Sequence, residues 1–206
     1  MTTTDLSPAR QSSAAGFSGQ SRRAMVDSQL RTSGVNEPWV LAAMAALPRE
    51  DFVPEAARAG AYTDRATPLG NGRFLAAPLV HGRMLAEAAP TLADKALLVS
   101  GGSDYLAALL RPLVGSLEVV DVADLAGARL AGPYSLIVVD GAGEELPASL
   151  AGALAADGRL VTGLVERGVT RLATAARVGD ALAFLPLAEI GIPVLAEFAA
   201  PRRWSF

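Results

Sequence analysis

The residues whose types and spacing could do chemistry gather first at Ser100-Gly101-Gly102-Ser103. This turn follows an apolar run, Ala96–Val99, and leads into an apolar segment of helical character, Tyr105–Leu113. A second apolar run, Leu117–Val120, closes on Asp121. Strand, glycine turn, helix, strand and acid together make a nucleotide cradle. Glycines let the backbone approach a ligand, the helix N-terminus offers N–H donors, and the acid accepts from ribose hydroxyls. Gly101, Gly102, Ser103 and Asp121 are therefore cofactor-binding candidates. Asp140, at the end of the apolar run Tyr134–Val139, would stand near them at the carboxyl edge of a parallel sheet and joins the set. The usual pattern has glycine at the first, third and often fifth turn positions, whereas Ser100 and Asp104 hold the first and fifth here. A carboxylate at Asp104 would stabilise the helix start but compete with a ligand carboxylate for the same N–H groups.

Composition narrows the other chemistries. The chain has 206 residues, half of them hydrophobic, with no cysteine, one histidine and a formal net charge of -3. Without cysteine there is no disulfide framework, thiolate zinc site or thiol nucleophile. A single histidine argues against a histidine-built metal site or a serine–histidine triad, so no metal is expected. The acidic balance gives no electrostatic reason for nucleic-acid binding. No apolar run is long enough to span a membrane, and the N-terminus lacks the apolar core of a secretory signal. A soluble, cytoplasmic protein is expected.

The elements that must position the cradle can be read from periodicity. Met1–Gln20, rich in Ser, Thr, Gly and Ala, is expected to be a disordered tail. Met25, Val26 and Leu30 mark one side of a short helix ending near Ser33–Gly34. Asn36 is the expected N-cap of the next helix, with Glu37 and Pro38 in its first turn and Val40, Leu41 and Met44 at helical spacing. Pro48 stops it, Phe52-Val53-Pro54 gives an apolar anchor, and Ala56–Ala61 a short helical turn. The N-terminal part, 21–90, thus reads as a helical cap with a loop region, packed as one unit on an α/β domain over 91–206. Within 91–206, Pro147–Ala156 reads as a helix. Pro201-Arg202-Arg203-Trp204-Ser205-Phe206 is a basic, aromatic tail expected to dock, because Trp204 and Phe206 are costly to leave in water.

The wording of the cap carries a family resemblance. Met25-Val26-Asp27-Ser28-Gln29-Leu30-Arg31, Val40–Met44, Leu47-Pro48-Arg49-Glu50-Asp51-Phe52-Val53-Pro54, and Ala61-Tyr62-Thr63-Asp64 followed by Pro68-Leu69-Gly70 resemble the N-terminal part of protein-L-isoaspartate O-methyltransferases. The resemblance implies a Rossmann-like α/β fold with a mostly parallel central sheet and an N-terminal helical cap. It implies S-adenosylmethionine as cofactor and isoaspartyl-containing proteins as substrates, methylated on the stray carboxylate in protein repair.

The same comparison shows departures. Gly72-Arg73-Phe74-Leu75-Ala76-Ala77-Pro78 stands where the family has a Gly-Gln-Thr-Ile-Ser-x-Pro type run. Pro78 fits, but the active-site serine falls on Ala76, so no catalytic residue is assigned. Pro78 and His81, on the helix Leu79–Ala89, are the substrate-binding candidates. For His81 the competing description is a lone, partly exposed helix histidine. Leu98 replaces a usual acid. Only Val122–Pro133 separates Asp121 from the next strand, enough for one short crossover helix at about 1.5 Å per residue, but not for another strand with its return. One edge strand, and with it a wall of the adenine site, is expected to be deleted. Two readings are open: an active isoaspartyl methyltransferase, and a catalytically inactive homologue that binds or builds. A dehydrogenase is a third, for which nothing supplies a hydride-transfer site.

Overall fold

The computed structural model describes residues 18–200. The expected tail therefore lies outside the described residues over 1–17, while 18–20 are already helical. The basic aromatic segment 201–206 also lies outside them. The first helix (α1, 18–33) begins as an α-helix, widens into a π turn at Val26–Leu30 and tightens to a 3-10 turn at Arg31–Ser33. Gly34, at φ 86°, ends it where the sequence predicts, because glycine carries no Cβ penalty there. Helix α2 (Pro38–Ala46) opens with proline in its first turn and Glu37 at its N-cap. Asn36 does not cap it; its backbone N–H donates instead to the Glu37 carboxylate. Two 3-10 turns, Arg49–Phe52 and Glu55–Gly60, complete the cap.

A two-stranded ribbon, β1 (Thr67–Gly70) and β2 (Arg73–Leu75), then reaches over the sheet and feeds α3 (Pro78–Ala88). The rest alternates as expected of an α/β domain: β3 (Lys95–Ser100), α4 (Tyr105–Leu110), β4 (Ser116–Asp121), β5 (Tyr134–Gly143), α5 (Ala148–Ala153), β6 (Leu154–Glu166), β7 (Val169–Val178) and β8 (Ala181–Glu189). The sheet order is β4-β3-β5-β6-β7-β8. The first four strands are parallel, and β7 and β8 add an antiparallel pair. Alternation along the central strands feeds two cores. Leu98, Leu136, Val138 and Val161 face the cap and α3, whereas Leu97, Val99, Ile137, Val139 and Leu160 face the other layer with Leu150 and Leu125.

Strand β4 is an edge: among the described residues it pairs only with β3, as the short link after Asp121 predicts. The expected crossover helix in that link is not formed. A single 3-10 turn, Leu125–Gly127, takes its place and buries Leu125.

Candidate functional site

Register brings the cradle residues together. Ser100 pairs with Asp121 across β3 and β4, and Val99 pairs with Val139 across β3 and β5, so Asp140 flanks the turn on its other side. The backbones meet closely: a Cβ on Gly101 would lie 2.2 Å from the Asp140 carbonyl oxygen. Gly102 has φ +105°, a conformation that favours glycine. Ser100, by contrast, is not among the residues of positive φ, so its side chain is tolerated.

The turn's own serines use its N–H groups. Ser100 Oγ accepts from the Gly102 N–H at 3.2 Å and donates to the Ser103 carbonyl. Ser103 Oγ accepts from the Tyr105 N–H at 3.2 Å. Asp104 occupies the N-cap of α4, but its carboxylate makes no capping hydrogen bond, contrary to the stabilising role its position suggests. It lines, with Asp51, Phe52 and Leu69, an open cavity of about 360 Å³ beside Gly102 and Ser103.

Arg73, from the ribbon, lies across this crevice. Its methylenes cover Gly102, with Cγ 2.9 Å from where a Cβ would stand. Its guanidinium makes a two-pronged contact with Glu197, at 2.7 and 3.1 Å, and reaches within 3.8 Å of Asp121 Oδ1. That hydrogen bonding raises the Arg73 pKa and holds the Glu197 carboxyl below its ordinary range. Asp121 also accepts from the Ala123 N–H at 2.8 Å, so the expected ribose-binding acid serves both as a turn cap and as an arginine partner.

Behind the turn is a buried polar chain. Arg49 is fully buried, and its Nε donates to the Ala61 carbonyl at 2.7 Å, its Nη2 to the Ala76 carbonyl, and its Nη1 to His81 Nδ1 at 3.2 Å. A guanidinium only donates, so Nδ1 must be the accepting nitrogen. His81 is therefore a neutral imidazole that donates from Nε2 to Asp140 Oδ1 at 3.0 Å. The Arg49 guanidinium also lies 4.9 Å from the Tyr105 ring centroid. Burial lowers the Arg49 pKa and raises that of Tyr105, whose hydroxyl has no hydrogen-bond partner among the described residues.

The expectation of a partly exposed His81 is thus corrected: the side chain is fully buried, because Arg49 and Asp140 satisfy both ring nitrogens. The Asp140 carboxylate is likewise buried on His81, while its backbone meets the cradle. Pro78 opens α3 and is buried. Ala76 contributes a carbonyl rather than a hydroxyl, and Leu98 is fully buried in the core. Gly101, Gly102, Ser103 and Asp121 are brought together; His81 and Pro78 stand behind them. Arg73 and Arg49 are not among the candidates that the sequence pattern yields. Arg49 had one signal, its place in the family-like stretch Leu47–Pro54, and Arg73 had one, a cation where that run has glutamine.

Comparison with known proteins agrees with this architecture. The sequence model of the family described as protein-L-isoaspartate(D-aspartate) O-methyltransferase matches residues 20–126, ending inside the shortened link. Protein-L-isoaspartate O-methyltransferase 1 of Rhodopseudomonas palustris is 35% identical over 173 residues, covering 72% of this chain and 70% of the relative. The Methanoregula boonei protein-L-isoaspartate O-methyltransferase is 31% identical over 184 residues, covering 77% and 85%. Among solved structures, a protein described as a Plasmodium falciparum protein-L-isoaspartate O-methyltransferase, in complex with S-adenosyl-L-homocysteine, superposes with a TM-score of 0.66 at 16% identity. That match covers 85% of this chain and 98% of the other, and supports the fold. The sequence matches carry the assignment further: this chain belongs to the protein-L-isoaspartate O-methyltransferase family.

Proposed function

We propose that this chain is a binding or structural homologue of the isoaspartyl methyltransferases, with its cofactor crevice filled by its own side chains. The observation that carries this reading is Arg73, which covers Gly102 and sets its guanidinium beside Asp121 while held on Glu197. S-adenosylmethionine, the cofactor of the family, does not fit the residues as they stand. Its ribose would compete with Arg73 for Asp121, its carboxylate with Ser100 Oγ for the Gly102 N–H, and Asp51 and Asp104 would repel that carboxylate. Its adenine would have no strand beyond β4 to lean on.

A second reading, carboxyl methylation of isoaspartyl proteins, is favoured by the retained Gly101-Gly102 backbone and the cavity beside it. A carboxylate acceptor is already a competent nucleophile at neutral pH, so Ala76 in place of a serine leaves the attacking group untouched, and approximation would do the rest. In either reading the partners are proteins rather than nucleic acid, and the proposed compartment is the cytoplasm. Among the described residues no helix is long and apolar enough to cross a membrane.

Thermal unfolding with millimolar S-adenosylmethionine, alongside an isoaspartyl-peptide methylation assay, separates the readings. A ligand at 100 times its Kd adds about 2.7 kcal/mol of stability, a shift of roughly 5–10 °C in a domain of this size. The first reading expects no such shift and no methylated peptide. A shift with turnover establishes the second.

A further inference from the structure

The turn that joins β1 to β2 is Gly70-Asn71-Gly72-Arg73, and its two central residues are the chain's single Asn-Gly pair. Both are exposed, with φ 50° at Asn71 and 74° at Gly72. Positive φ at both central positions is the hairpin turn that favours Asn followed by Gly, so local folding explains why these residues stand here. Their covalent chemistry is a separate consequence.

The Gly72 main-chain nitrogen can attack the Asn71 side-chain amide carbon and close a small imide ring, an intramolecular step favoured by proximity. Gly72 has no Cβ to crowd that approach. Chain neighbours apart, no heavy atom of the described residues lies within 4 Å of where a Cβ would stand, at Gly72 or at Gly70. The ribbon is a sheet of its own, with four residues in one strand and three in the other. Such a ribbon is marginal by itself, so its tip opens at little cost. The chain's other asparagine, Asn36, is also exposed but is followed by Glu37, whose side chain crowds the same attack. Two Asp-Gly pairs have the same ring within reach and are held by the fold. Asp140 is buried with its carboxylate on His81, and Asp157-Gly158 lies inside β6.

We infer that Asn71 is a site of spontaneous deamidation in the folded chain, with an isoaspartyl residue among its products. The Gly72 nitrogen loses its proton and bonds to Asn71 Cγ, the Cγ–Nδ2 bond breaks, and ammonia leaves. Water then adds to one of the two imide carbonyls. Breaking the ring bond to Cγ gives aspartate. Breaking the bond to the main-chain carbonyl carbon gives isoaspartate, in which the main chain runs through Cβ and Cγ and the former main-chain carbonyl becomes the free carboxylate. Water is the only co-reactant. The product sets a negative charge and one extra main-chain carbon two residues before Arg73, in the ribbon that carries that side chain over Gly102. The reaction itself is independent of the function proposed above.

The test is a time course on the full-length folded protein, read by peptide mass spectrometry after brief trypsin digestion at mildly acidic pH. Cleavage after Arg65 and Arg73 isolates Asn71 in the peptide 66–73, and cleavage after Arg31 and Arg49 isolates Asn36 in 32–49. Electron-transfer fragmentation tells isoaspartate from aspartate. The synthetic peptide 66–73, incubated alongside, sets the rate of the unconstrained site. The expected result is conversion of Asn71 within about tenfold of that rate, the range that a tip with little opening cost allows. Conversion should quicken as pH rises, because the nitrogen attacks once deprotonated, and should yield both products, with Asn36 several-fold slower. Two results overturn the inference. Asn71 falling below that range would show that the turn is too rigid to react, and Asn36 converting as fast as Asn71 would show damage that is not specific to this turn.

Discussion

Arg73 is the residue on which the proposed function turns. It stands where the family-like run has glutamine, and a glutamine amide could not form the charged contact that joins Glu197 to Asp121. Arg73→Gln should free Asp121 and uncover Gly102. A thermal shift with S-adenosylmethionine is then expected, against none expected for the parent; its continued absence would show that Arg73 is not what blocks the crevice. Loss of the part-exposed ion pairs themselves should cost no more than about 1 kcal/mol. Arg49 is the opposite case, a fully buried cation joined through neutral His81 to the buried carboxylate of Asp140. Arg49→Met would leave that carboxylate without its cation and the Ala61 and Ala76 carbonyls without their donor. A loss of about 3–5 kcal/mol is expected, a fall in Tm of roughly 6–20 °C. Tyr105→Phe should be neutral or slightly stabilising in the same measurement, because the hydroxyl removed is buried and unpaired. None of this polar chain was legible from local pattern: Arg49 and His81 are 32 residues apart and His81 and Asp140 are 59, so no periodicity links them. A single histidine with no visible partner reads as exposed. Tertiary contact decided otherwise.

At the scale of elements, the parts set by short-range pattern were legible. The apolar runs gave β3, β4 and β5, glycine ended α1, and the count of residues after Asp121 predicted the sheet edge at β4. The content of the link was not, because residue count bounds what fits without choosing between a helix and a turn that buries one leucine. How the strands are held at their amino ends is also a tertiary matter, and it rests on Asp94. Its carboxylate accepts from Arg159 at 2.9 and 3.1 Å, from Ser135 Oγ at 2.7 Å and from the Thr91 N–H at 2.8 Å, joining the entry to β3 with β5 and β6. The Arg159 hydrogen bonds hold its pKa well below the usual carboxylate range, against the opposing effect of burial. As pH falls, the unfolded chain therefore binds this proton first. The contribution is full above the unfolded value of about 3.9 and is lost as pH drops toward the lower folded value. Asp94→Asn should cost about 1–2 kcal/mol at pH 7, discounted for the partial exposure of Arg159. Unfolding curves for the two proteins should draw together progressively as pH falls below about 4 toward the lower folded value; a constant gap would show that the carboxylate's charge is not what holds the clamp.

For the whole molecule, the two cores are unequal, and this sets where it should open. The larger joins the cap, α3 and α4 to one sheet face, so the cap has no separate core and should not melt on its own. The smaller is covered by α5, the Leu125 turn and the segment around Leu195 and Phe198, with no helix in the link between β4 and β5. β4 is thus bonded on one side only and lightly covered: Glu118 is half-buried and Val119 exposed, whereas Leu136 to Val139 in β5 are buried throughout. An edge with few buried contacts opens at a fraction of the global free energy. Native-state hydrogen exchange should therefore find β4 amides exchanging through local opening, insensitive to low denaturant. Amides of β3 and β5 should exchange only with global unfolding, at a free energy of about 5–15 kcal/mol. Equal protection across β4 and β5 would mean that the edge is covered by something outside residues 18–200.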